Sequence, residues 1–134
     1  MKTKTILLTV IALCLLIIGT GCEKEPKHEI YENHEVSACG IKDPLNNIEW
    51  LAKIEKDPTS LVNIMLYKNT NTEENYFRFV FQKDEMGYSS MVYFDCRGNN
   101  IFEWYSASSP GHPRYEEFHS DKESVDVIWE VKNK

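Results

Sequence analysis

Apolar residues recur along this chain at two different periods. Between Pro44 and Lys56, Leu45, Ile48, Leu51 and Ile54 stand three residues apart with Trp50 beside them, the spacing of one helical face. Asp43-Pro44 is a good start for such a helix: the carboxylate can cap free amides, and proline suits the first position, where no amide hydrogen is needed. Asp57-Pro58 ends it. Beyond it the period drops to two. Val62, Ile64 and Leu66 alternate in Leu61–Tyr67, and Phe77, Phe79 and Phe81 in Asn75–Gln82, where Arg78 faces the other way. Val92, Phe94 and Cys96 share a face in Tyr88–Cys96, Ile101–Ser106 is a fourth short strand, and Val125, Val127, Trp129 and Val131 alternate against Asp126 and Glu130. Each run reads as a strand with one buried face. The connections "KNTNTEE", "KDEMG" and "CRGNN" are short and rich in turn residues, which favours antiparallel neighbours. The expected fold class is α+β: one N-terminal helix packed on an antiparallel sheet of four to five strands, the first four forming a meander. "SASSPGHPRYEEFHSDKES" is the long irregular connection, with a helical turn expected around Tyr115–His119.

A different pattern opens the chain. Lys2 and Lys4 precede an apolar run from Ile6 to Ile18, broken only by Thr9, and Gly19, Thr20, Gly21 and Cys22 follow. A basic start, a short apolar core and small residues at the end make a signal-peptide layout. The run falls short of the roughly 20 residues that span a bilayer. The junction "GTGC" followed by "EKEPKHE" resembles the bacterial lipoprotein signal, in which the peptidase cuts before the cysteine and lipid (palmitate) is attached there; Gly19 departs from it, since a larger aliphatic residue is usual at that place. The expected organisation is a signal peptide over 1–21, a flexible tether over 22–37, polar and without apolar period, and a single α+β domain over 38–134. His28, Glu29, His34 and Glu35 fall in the tether without the spacing of a helical zinc site and read as solvated.

Charge and cysteine usage sharpen this picture. Without residues 1–21 the chain keeps 13 Lys and Arg against 21 Asp and Glu, a net charge of −8. An acidic surface argues against nucleic acid and against anionic lipid headgroups as partners. Of the four cysteines, Cys14 lies in the signal core and Cys22 is the lipidation site. An exported chain with two cysteines left over, Cys39 and Cys96, reads as carrying one disulfide. The competing reading of Cys39 is a thiolate activated by the helix amino end, but Asp43 is expected to occupy that end.

Two stretches resemble a known group. "CGIKDPLNNIEWLAKI", Cys39 to Ile54, resembles the opening of small uncharacterised lipoproteins of Bacteroidota, with their Cys-Gly, Pro-Leu and Trp-Leu helix start. "VYFDCRGNNIFE", Val92 to Glu103, resembles their later strand-turn-strand. The resemblance implies export, lipid anchoring and a compact α+β domain; it implies no activity and no catalytic residues. The expected location is the cell envelope, held to a membrane through lipid on Cys22, the outer membrane rather than the inner, with the periplasmic or surface face left open.

No cofactor is expected, since the chain has no serine-hydrolase elbow, phosphate loop or dinucleotide fingerprint. His112 and His119, seven apart, make no metal template, and the adjacent Glu116 and Glu117 rarely face one site. Trp50, Trp104 and Trp129 read as core and edge residues rather than a sugar platform. Tyr76, Tyr88, Tyr93 and Tyr105 are the better candidates for an exposed aromatic face. The function expected from the sequence is a non-enzymatic binding or accessory module for an unknown protein or glycan, with Tyr105, His112, Arg114 and Tyr115 as candidate binding residues. The alternative is a small envelope hydrolase that uses the His and Glu residues of the 106–121 loop.

Overall fold

The structure, a computed structural model, describes residues 28–106 and 111–132. The expected signal segment 1–21 and the expected lipidation site Cys22 lie outside the described residues. Among the described residues eight strands form: β1 Glu29–Glu32, β2 Ser37–Ala38, β3 Ile41–Lys42, β4 Leu61–Asn69, β5 Asn75–Phe81, β6 Ser89–Phe94, β7 Asn100–Ser106 and β8 Lys122–Lys132. Short helices among the same residues are α1 Pro44–Asn47, α2 Glu49–Lys53 and α3 Pro113–His119. Six strands make one antiparallel sheet in the order β1-β8-β4-β5-β6-β7, and β2 and β3 pair as a separate hairpin.

This overturns the expected fold class of one N-terminal helix on a four- to five-stranded sheet. The chain is mostly sheet. The predicted helix over Pro44–Lys56 is two one-turn pieces separated at Ile48, whose backbone is extended (φ −88°, ψ 113°). The physical reason lies in the side chains at its start. Asp43 makes no side-chain cap and sits in the left-handed region at φ 51°. Its carboxylate is bound instead by His34 Nδ1 at 2.8 Å and by the Asn46 side-chain amide at 2.8 Å. Asn47 spends its amide on the Lys42 carbonyl at 2.7 Å. Asparagine competes with the helical backbone in this way, and the break at Ile48 still delivers Leu45, Ile48 and Leu51 to the core.

The tether expectation is also corrected. Glu29–Glu32 is an edge strand, with Ile30 opposite Val131 and Glu32 opposite Trp129. Local polarity hid it, because its partner lies about a hundred residues away in the chain. Beyond β7 the chain crosses the sheet and returns as β8 between β1 and β4.

The sheet is buried on both faces, so alternation alone did not identify its core. On the first face Leu61, Ile64, Leu66, Phe77, Phe79, Ile128, Trp129 and Val131 pack against Ala38, Leu45, Ile48 and Leu51. On the second face Tyr67, Met91, Tyr93 and Phe102 pack with Trp104, Tyr115 and Phe118, the last two from α3. A bulge between Leu61 and Asn63 puts Leu61, not Val62, in line with Ile64. Irregular register between β4 and β8 buries Ile128 completely and leaves Val125 half exposed. A bulge adds one residue and re-aims every side chain beyond it.

Candidate functional site

The end of the sheet around the disulfide is assembled from three turns. Cys39 (φ 57°) and Gly40 (φ 73°) are the two-residue turn of the β2–β3 hairpin; positive φ at both positions is the primed geometry that matches strand twist. Cys39 is bonded to Cys96, with a Cα–Cα distance of 5.9 Å, and its amide donates to Asn75 Oδ1 at 2.7 Å. Cys96 lies in the β6–β7 turn rather than within its strand. There Asp95 Oδ1 accepts from the amides of Arg97 and Asn99, both at 2.9 Å, which holds that carboxyl below its usual range against the opposing effect of burial. Trp50 reaches this turn from α2. Its Nε1–H donates to the Cys96 carbonyl at 3.0 Å, and its ring lies 5.5 Å from Phe77 and from Phe94. The staple and the turns enclose an open cleft of about 740 Å³ whose walls include Glu73, Glu74, Arg97 and Ile101. Glu73 is also held at positive φ (62°). This cleft is not legible in the sequence, since its walls come from three connections: strand pairing sets the β4–β5 and β6–β7 turns side by side, and the staple adds the β2–β3 hairpin.

The four candidate binding residues divide between the two faces. His112, Arg114 and Tyr115 gather with α3 on the second face, while Tyr105 points to the first. His112 caps α3: its Nδ1 accepts from the Arg114 amide at 3.3 Å, and its ring lies 4.7 Å from Trp104. The Arg114 guanidinium sits 5.2 Å over the Phe102 ring, and the Tyr115 ring stacks on His119 at 3.9 Å. His119 Nδ1–H donates to the Tyr115 carbonyl at 2.7 Å, so Nε2 accepts the Tyr93 hydroxyl at 2.5 Å. Burial pushes the His119 pKa down and the Tyr93 pKa up, which keeps both groups neutral. Tyr93 itself is fully buried, so it belongs to no exposed aromatic face. Glu116 accepts from the Gly111 amide at 3.0 Å. The histidines that a loop-based hydrolase would use are therefore engaged in capping α3 and fastening it to the sheet. Among the described residues no group of three or more His, Cys, Asp or Glu is placed to hold a metal ion.

Tyr105 is different. It is 59% exposed, its ring lies 5.4 Å from that of Tyr88, and its hydroxyl donates to Asp84. Glu103 shares its face of β7 and is exposed too, as is Ile101 at the register shift near the start of the strand. Of the three tryptophans, Trp129 is buried and Trp50 and Trp104 are packed against the cores. The exposed aromatic surface is thus Tyr105, with the half-buried Tyr88 packed beside it, at the β7 edge of the sheet. The sequence marks Tyr88 and Tyr105 as candidates; their pairing depends on the register that sets Ser90 opposite Tyr105.

His34 is a second titrating centre. Its Nδ1 meets Asp43 at 2.8 Å and its Nε2 meets Glu32 at 3.0 Å. Only the imidazolium can donate to both, and the Asp43 and Glu32 hydrogen bonds raise its pKa. The two histidines oppose each other in pH dependence. His34 contributes stability below the ordinary histidine range of about 6.5, and loses it as pH rises through its raised value. His119 contributes stability above that range, and loses it as pH falls below about 6.5. Urea unfolding at pH 5 and pH 8 separates them: His34→Ala should destabilise more at pH 5, and the deficit of His119→Gln relative to the native chain should shrink there.

Comparison of the chain with family models, curated proteins and solved structures finds no match.

Proposed function

We propose that this chain is a lipid-anchored cell-envelope protein whose folded domain is a binding module, with the Tyr88–Tyr105 face as its contact surface. The observation that carries the reading is the exposed Tyr105, packed beside the half-buried Tyr88 and held by its Asp84 contact. Tyrosine supplies large contact area at low entropic cost and is enriched at the centres of interfaces. Anchoring through Cys22 belongs to the same proposal, as do the envelope location and kinship with small Bacteroidota lipoproteins. The Cys39–Cys96 disulfide agrees with export, since structural disulfides persist in oxidising compartments.

A crosslinking pull-down with the full lipidated chain tests this. The captured partner should be lost, or reduced at least tenfold, when Tyr88→Ser and Tyr105→Ser are combined. A fatty-acid probe should label the native chain and not Cys22→Ala. Capture unchanged by the double variant would overturn the contact surface, and equal labelling would overturn the anchor.

A further inference from the structure

We propose that β7 is a docking edge: an extended segment of a partner protein adds to the sheet beside Asn100–Ser106, with a basic residue opposite Glu103 and an apolar residue opposite Tyr105. This rests on the reading of the domain as a binding module and names the chemistry of the partner.

The sheet ends in two unlike edges. β1 is four residues long, "EIYE", with glutamate at both ends. A short, charged edge strand resists further pairing. β7 is seven residues long, "NIFEWYS", with one charge, and pairs only with β6 among the described residues. Its outer backbone donors and acceptors form a template for strand addition. β7 is also held firmly from below: its register with β6 is unbroken from Ser89–Ser106 to Tyr93–Phe102 and shifts by one residue at Phe94–Asn100, and Phe102 and Trp104 lie under α3 on the second face. An edge already ordered in this way loses little further entropy when a partner docks.

The side chains specify what docks. Glu103 and Tyr105 stand at alternate positions on the first face, opposite Val92 and Ser90 of β6, and Tyr105 is 59% exposed. Residues directly opposite across a strand pair share a face, and opposite charges there attract. The arrangement therefore reads a basic residue with an apolar residue two positions away. A second copy fits poorly, because full-register pairing of two β7 strands sets Glu103 against Glu103 and each chain carries a net charge of −6.

The test uses the full chain and two capped peptides, Thr-Val-Thr-Lys-Thr-Val-Thr and Thr-Val-Thr-Glu-Thr-Val-Thr, whose symmetry makes strand direction immaterial. The lysine peptide at millimolar concentration should slow hydrogen exchange at β7 amides and bind roughly fivefold more tightly than the glutamate peptide. Glu103→Lys should reverse that preference. Protection at β1 or in the cleft, no protection at β7, or a preference unmoved by Glu103→Lys would each overturn strand addition. Concentration-dependent protection of β7 without peptide would overturn it in favour of a self-paired dimer. If capture by the full chain still depends on Tyr88 and Tyr105 while the peptides leave β7 unprotected, the tyrosine face stands as a contact surface for another ligand, such as a glycan, and the docking edge falls alone.

Discussion

Replacing Cys39 and Cys96 together by serine is expected to lower the melting temperature by roughly 15–30 °C, at about 4–8 °C per kcal/mol for a domain of this size. The two residues are 57 apart in the chain, and closing a loop of that length stabilises by about 4 kcal/mol in the chain-entropy account. That is most of the stability a small domain holds. Serine at position 39 keeps the positive φ of the hairpin turn, so the loss reports the cross-link and not a change in backbone strain. Differential scanning calorimetry of the oxidised chain, the reduced chain and the double variant checks this. The last two should agree, and alkylation of the oxidised chain should add no label at Cys39 or Cys96.

The second large effect is at Trp50. Trp50→Ala should cost about 3 kcal/mol, at the lower end for a large aromatic because the side chain is only partly buried. It removes the donor to the Cys96 carbonyl and the contacts with Phe77, Phe79 and Phe94. Gly98 adds an independent check. A Cβ there would stand 2.8 Å from two ring atoms of Trp50, on a backbone at φ +84°. Gly98→Ala should therefore cost about 1–3 kcal/mol from strain and crowding. In the Trp50→Ala background the crowding disappears and only the backbone part remains, so the two substitutions should be less than additive. Denaturant midpoints of the two single variants and the double variant decide it. A fully additive result would mean that Gly98 does not depend on the tryptophan ring.

These effects meet at one turn, and its parts differ in how far they were legible. The cysteine pairing could be read by counting, because Cys14 falls in the expected signal core and Cys22 at the expected lipidation site, which leaves Cys39 and Cys96. Its geometry could not: alternation places Cys96 on a strand face, and it lies in the Asp95–Asn99 turn. The helix signal from Leu45 to Ile54 correctly marked buried positions in Leu45, Ile48 and Leu51, yet not their conformation. An apolar spacing of three is satisfied by two helical turns hinged at an extended Ile48 as well as by one helix. Of the candidate binding residues, His112 caps α3, and Arg114 and Tyr115 pack on Phe102 and His119. Tyr105 is the one of the four that lies exposed on the other face.

Local sequence determined the strand runs β4 to β7, their tight turns, and the buried phenylalanines of β5, because alternation and turn chemistry act over a few neighbouring residues. Tertiary structure alone decided that Glu29–Glu32 joins the sheet, that β8 returns between β1 and β4, and that both faces are covered. Each of those depends on pairing across long chain separations, and a polar edge strand or an irregular register leaves no periodic trace in its own residues.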